Sequence, residues 1–122
     1  MARTPARTFQ DLIVWQKSHQ LVLAVYRLTK RLPKEELFGL VAQMRRAAVS
    51  VPANIAEGFK KRGRLDKARH LNIAQASLEE LRYYSLLCSD LNYFAKDTSG
   101  SEIEEFSRLL GGYTQTVLDS AS

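Results

Sequence analysis

The chain has 122 residues, 45% of them apolar and 25% charged, with a net charge of +5. That is the size and composition of a single globular domain, which excludes a low-complexity or fibrous chain. Cys88 is the only cysteine, so no intrachain disulfide can form, as suits a reducing cytoplasm. The charge is uneven. Residues 1–70 hold 15 Lys/Arg against 5 Asp/Glu, and residues 71–122 hold 3 against 8. A basic half beside an acidic half suits nucleic acid, a partner protein or a second copy of the chain.

Residues 1–10 are polar and basic and read as a flexible N-terminal segment without the apolar stretch of a signal peptide. The longest apolar run, Leu21 to Tyr26, is far too short for a bilayer, so a cytoplasmic chain without membrane contact is expected. The first helix is expected from near Asp11 to about Arg31. Trp15, Ser18, Val22, Val25, Thr29 and Leu32 form its apolar stripe, widened by Leu12, Tyr26 and Leu28. Leu32-Pro33-Lys34 stops it. The second helix is expected from Glu35 or Glu36 to about Phe59. Leu37, Val41, Met44, Ala48, Val51 and Ile55 share one of its faces. Pro52 removes a donor and crowds the carbonyl of Ala48, which predicts a bend there. Ala47, Ala48, Ser50, Ala53 and Ala56 keep this helix thin, so a neighbour can come close.

A basic connection around Lys60-Lys61-Arg62, between Gly58 and Gly63, ends the second helix. The third runs from about Leu65 to Leu91. Its stripe is Leu71, Ala74, Leu78, Leu81, Ser85 and Cys88, flanked by Ile73, Tyr84 and Leu87. Asp97-Thr98-Ser99-Gly100 reads as a turn and Ser101 as the N-cap of the fourth helix. Ile103, Phe106, Leu110, Tyr113 and Val117 hold that helix in heptad register. Gly111-Gly112 costs it about 1 kcal/mol per glycine, which predicts a close contact or a bend. No segment alternates as a strand would. The fold expected over residues 11–122 is all-α, an antiparallel up-down-up-down four-helix bundle.

Several motifs in order resemble one family. They are Asp11-Leu12-Ile13-Val14-Trp15-Gln16-Lys17, Val25-Tyr26-Arg27-Leu28-Thr29 and Leu32-Pro33-Lys34-Glu35-Glu36, then the stretch from Gln43 through Arg45-Arg46 to Glu57-Gly58, then Asn72-Ile73-Ala74-Gln75-Ala76-Ser77-Leu78-Glu79-Glu80-Leu81. Together they are similar to the bacterial four-helix-bundle family once labelled S23 ribosomal protein. Its members include proteins encoded in intervening sequences of 23S rRNA genes, and accessory proteins of diversity-generating retroelements are similar. The resemblance implies a homo-oligomer, often a ring-shaped pentamer, with no enzymatic activity and no cofactor. It also implies RNA or DNA and a reverse transcriptase or other protein as partners. His70 and Ala76 depart from the family pattern, where an aromatic residue and a glycine are common.

The residues themselves offer two candidate groups. Lys60, Lys61, Arg62, Arg64, Lys67 and Arg69 form the densest basic cluster, diluted only by Asp66. Such a cluster neutralises phosphates without reading sequence, and the alternative is a solvated loop. Only Phe59 lies beside it, which argues against base stacking. The second group is structural or interfacial. Arg45 and Arg46 are expected to pair with Glu57, Glu79 or Glu80, and Asn54 is expected to serve the carbonyl freed by Pro52. Catalytic and metal chemistry lack a donor set. Gln16 and Lys67 stand where a Glu-x-x-His pair would place its carboxylates ahead of His19 and His70. Arg64 and His70, six apart, faintly match the Arg and His of some helical ribonucleases. The sequence therefore supports a non-enzymatic scaffold that self-associates and binds nucleic acid. A pure protein-interaction module and a cryptic ribonuclease are the alternatives.

Overall fold

Apolar residues at three- and four-residue steps can be buried together only on helices packed side by side. The computed structural model, which describes residues 5–94 and 100–120, realises this with α1 (Ile13–Thr29), α2 (Ala42–Lys60), α3 (Arg64–Asp90) and α4 (Gly100–Asp119). No strand occurs among the described residues. Cross-helix contacts fix the directions. Met44 meets Cys88, Ser50 meets Ser77 and Asn54 meets His70, so α2 and α3 are antiparallel. Gln75 reaches Ser107 and Arg82 reaches Glu104, so α3 and α4 are antiparallel too. The fold is the expected four-helix bundle.

A 3-10 turn, Phe9–Asp11, precedes α1. The Asp11 carboxylate accepts the backbone N–H groups of Arg7 (2.9 Å) and Thr8 (3.1 Å), and these bonds hold its pKa below the ordinary value. Phe9 sets its edge against Trp15, with ring centroids 5.0 Å apart. Ser18, Val22, Val25, Thr29 and Leu32 are buried as expected, and Val14 joins them. Tyr26 is exposed instead of widening the stripe.

The corner between α1 and α2 differs from its expected form. Lys34–Glu36 is a 3-10 turn and Leu37–Val41 a wide helical turn, broken at Gly39 (φ −109°, ψ −107°). Regular helix begins only at Ala42. The break takes the preceding turn out of register, so Leu37 is 51% and Phe38 92% exposed. Val41, Met44, Ala48, Val51 and Ile55 keep the predicted face and are buried. Across Pro52 the helix runs on as one element, with the ring buried. The break in the helical path lies at Gly39.

The α3 stripe is buried throughout, whereas Ile73 is exposed. Asn92 ends this helix in the left-handed region (φ 61°). Its N–H bonds to Ser89 O, and Tyr93 N–H reaches back to Cys88 O, which satisfies two of the last carbonyls. In α4, Ser101 lies inside the first turn, so it is not the N-cap. Asp97-Thr98-Ser99 lies outside the described residues. Ile103, Phe106 and Leu110 are buried. Gly111 and Gly112 make no close helix–helix contact. The helix is continuous, a Cβ at Gly111 would meet only Gln75 Nε2 at 3.6 Å, and one at Gly112 would meet nothing within 4 Å.

The Asn92 turn delivers Tyr93 to the α1–α2 corner. Its hydroxyl donates to Glu36 Oε2 at 2.7 Å, and Glu36 Oε1 accepts Leu40 N–H at 3.4 Å. The bond to Glu36, then burial, pushes the Tyr93 phenol up to about 12. A raised phenol pKa stabilises the fold below the ordinary value of 10.0, and this contribution is lost as pH rises through about 12. Glu36→Gln is expected to return one phenol towards its ordinary value. Difference titration of phenolate absorbance against the wild type checks it.

Candidate functional site

Only Lys61-Arg62-Gly63 separates α2 from α3. So short a connection forces the six cations of the basic cluster onto one end of the bundle. The structure divides them by what they hold. Lys67 donates to Phe59 O at 2.8 Å and Gly58 O at 3.5 Å, with its ammonium 5.5 Å from the Phe59 ring centroid. It closes the C-terminus of α2, where carbonyls have no helical partner. Arg69 pairs with Asp66 at 3.1 Å, one turn away. Arg64 donates to Ser120 O at 3.3 Å, beyond the end of α4. Lys60, Lys61 and Arg62 make no side-chain bond or ion pair among the described residues. The cluster is therefore three engaged cations and three unengaged ones.

The second candidate group lies along the outer edge of the α2–α3 seam. Arg46 pairs with Glu80 Oε2 at 2.9 Å, and the two side chains are 62% and 35% exposed. The same carboxylate oxygen accepts the Tyr84 hydroxyl at 2.7 Å, a bond that, with burial, raises the phenol pKa. Arg45 has no carboxylate partner among the described residues. It donates instead to Thr29 Oγ1 at 2.9 Å and Tyr26 O at 3.4 Å, with its guanidinium 4.5 Å from the Tyr26 ring centroid. Adjacent residues project about 100° apart, so Arg46 serves α3 while Arg45 serves the end of α1. Glu79 faces Arg82 at 3.4 Å, and Arg82 also binds Glu104 on α4.

Asn54 does not serve the carbonyl of Ala48. Its Nδ2 donates to Ser50 O at 2.8 Å and Ser50 Oγ at 3.1 Å, because the side chain reaches one turn back along its own face. Ser50 Oγ lies 2.8 Å from Ser77 Oγ on α3. Asn54 Oδ1 lies 3.3 Å from His70 Nδ1, and Glu57 Oε2 lies 3.4 Å from the same nitrogen. His70 Nε2 is buried and has no partner among the described residues. A Cβ at Gly58 would stand 3.2 Å from His70 Cβ and 3.3 Å from Lys67 O, so any side chain there would push the helix ends apart by a few tenths of an ångström. The seam roles of Ser50, Ser77 and Tyr84 and the capping role of Lys67 were not found from sequence. A hydroxyl near an apolar stripe looks the same whether it meets a helix or water.

Arg64 and His70 do not converge. Six residues place them about 120° apart around α3, with Arg64 on the end of α4 and His70 on α2. Cys88 lies in the core, and burial pushes its thiol up, which disfavours a thiolate. Among the described residues no group of three His, Cys, Asp or Glu side chains could hold a metal, and no helix is long and apolar enough to cross a membrane.

The model of the family described as 23S rRNA-intervening sequence protein matches residues 10–112. The chain belongs to this family. A crystal structure from Bacteroides thetaiotaomicron, of a protein of unknown function in the S23 ribosomal protein family, superposes with a TM-score of 0.72 at 24% identity. The match covers 88% of this chain and 100% of that one, and it shows the shared fold. No curated protein matches the chain. In this 23S rRNA-intervening sequence protein family member, the specific Arg45–Gly58 segment thus builds one side of a helix seam.

The two neighbouring arginines give a direct test. Arg46→Ala removes an exposed pair and is expected to cost at most about 1 kcal/mol. Arg45→Ala removes a charged donor from Thr29 and a cation from the Tyr26 ring, and is expected to cost about 2 kcal/mol. Urea unfolding of both variants checks the order.

Proposed function

We propose that this chain is a non-enzymatic, self-associating scaffold that holds nucleic acid by its phosphate backbone at the α2–α3 end. One observation carries the reading. Lys60, Lys61 and Arg62 stand unengaged within a single short turn, while the other cations of the cluster already have partners. Unengaged cations held close together are free to displace counterions from a phosphate backbone. Phe59 is covered by Lys67, so bases have no ring to stack on there and binding is indifferent to sequence.

Self-association is supported by what the bundle leaves bare. Phe38, Leu65, Tyr83 and Leu86 are all more than half exposed. These are separate exposed positions along the bundle, each an apolar contact that a second chain would cover. A closed ring, five-membered as the family resemblance implies, repeats the cationic turn around an axis and lets weak contacts act together. A second reading, a pure protein-interaction module, draws on Glu102 and Glu105, which lie exposed on α4 and are free to meet the basic end of a neighbour.

Fluorescence anisotropy with labelled single- and double-stranded oligonucleotides separates the two, starting at about 50 mM salt, where electrostatic contacts are weakly screened. The wild type is expected to bind with little sequence preference. Replacing Lys60, Lys61 and Arg62 with glutamine is expected to weaken binding and to flatten the log–log salt dependence by about 0.7–0.9 per lost contact. The fold, followed by circular dichroism, should not change. Absence of wild-type binding at that salt overturns the nucleic-acid reading and leaves the interaction module.

A further inference from the structure

The basic turn offers bases no free ring, because Lys67 covers Phe59. A ring with an open face stands on α1 instead. Trp15 and His19 lie one turn apart on that helix, and their rings stack with centroids 5.0 Å apart and planes 7° from parallel. The indole is held in place. Trp15 packs against the core, Phe9 sets its edge against it, and the Phe9–Asp11 turn is tied down by the bonds to the Asp11 carboxylate. His19 is exposed and makes no hydrogen bond or ion pair among the described residues. Its ring is therefore seated on the protein by one face, with no other ring against its second face.

Helical spacing sets this stack beside the cationic turn. Trp15 and His19 each fall within about 20° of Tyr26 around α1, and Tyr26 is the residue that Arg45 of α2 covers. The stack thus lies on the side of α1 that looks towards α2. The two helices are antiparallel, since Arg45 in the first turn of α2 holds Thr29 at the end of α1. Trp15 lies as far from Tyr26 as Ala56 lies from Arg45, so Trp15 is level with the end of α2. His19 is one turn further in. It stands about two turns, or about 11 Å, from the level of Lys60, across one helix spacing of about 8–10 Å. A few nucleotides of a single strand span that distance. The nearest acid in sequence, Asp11, is engaged by the N–H groups of Arg7 and Thr8.

We propose that the open face of His19 takes an unpaired base, so that the chain holds single-stranded nucleic acid by phosphates on the Lys60-Lys61-Arg62 turn and by one base on the Trp15–His19 stack. This inference rests on the nucleic-acid reading above and names the form of nucleic acid that fits it. The bases of a duplex lie against one another and show only their edges in the grooves. Only an unpaired base lies flat on a protein ring. Every base has such a face, so the stack selects for strandedness and not for sequence. A ring already seated on Trp15 loses little freedom when a base is added.

The test is fluorescence anisotropy of the full chain with a labelled oligothymidylate and with a duplex of the same length, about 12 nucleotides, within the usual span of single-strand sites. His19→Ala is expected to weaken single-strand binding by about 5- to 100-fold, the effect of losing one stacked base. Duplex binding, and the salt dependence of both, should stay as in the wild type, because no phosphate contact is lost. His19→Tyr, which supplies a ring without a cation, is expected to restore single-strand binding. Both variants should keep the wild-type circular dichroism, since His19 is exposed. A wild type that binds neither oligonucleotide overturns the nucleic-acid reading and this inference with it. Binding of the duplex alone, or single-strand binding that His19→Ala leaves intact, overturns only the stack. An equal loss on strand and duplex, with a flatter salt dependence and no rescue by tyrosine, makes His19 a phosphate contact and overturns the stack as well.

Discussion

The close approach of α2 and α3 decides most of what the molecule can do. Ala47, Ala48 and Ala74 are almost without exposed surface, so the two helices meet with little side-chain bulk between them. Interiors are packed to near-crystal density, and small residues on both sides let backbones rather than long side chains set the spacing. At the far end the same closeness brings Gly58 against His70 and Lys67. Helices so close at their ends can be joined by three residues, here Lys61-Arg62-Gly63, and the flanking Lys60 and Arg64 are cations too. The exposed basic turn is thus a consequence of the core.

The polar contacts along the seam set register more than they add stability. Exposed pairs such as Arg46–Glu80 contribute little, because water competes for both charges. Their value is positional. Arg46 with Glu80, Ser50 with Ser77, and Asn54 with His70 lie in sequence along one edge of the antiparallel pair. Sliding α3 by one turn would unpair all three at once. Arg45 extends this edge to α1 by holding Thr29 and Tyr26. The segment that gives the sequence its family likeness therefore joins three helices.

The helices were legible because burial imposes a period, and the period survives in the sequence. All six positions of the α3 stripe are buried as read. The failures come where a backbone event shifts the phase or where partners decide the outcome. Leu37 fits the α2 face by spacing, but Gly39 breaks the helix between them and turns Leu37 outwards. Gly111-Gly112 read as a contact or a bend, yet a Cβ at either glycine would meet nothing closer than 3.6 Å and the helix continues through both. Arg45 and Arg46 both looked like carboxylate seekers. Only the three-dimensional arrangement shows that one of them faces the end of α1, where the acceptors are a hydroxyl and a carbonyl.

The basic cluster shows why charge density in a sequence overstates a binding surface. Each cation has one ammonium or guanidinium to place, and the fold claims some of them first. Lys67 is committed to the last carbonyls of α2. Moving it onto a phosphate would leave those carbonyls unpaired and cost the helix its end. Arg69 has Asp66 beside it, so phosphate must compete with a neighbour already in place. Lys60, Lys61 and Arg62 face neither cost. Every cation from Lys60 to Arg69 still adds to the field of the bundle end, but only these three could meet a polyanion without giving up a described contact.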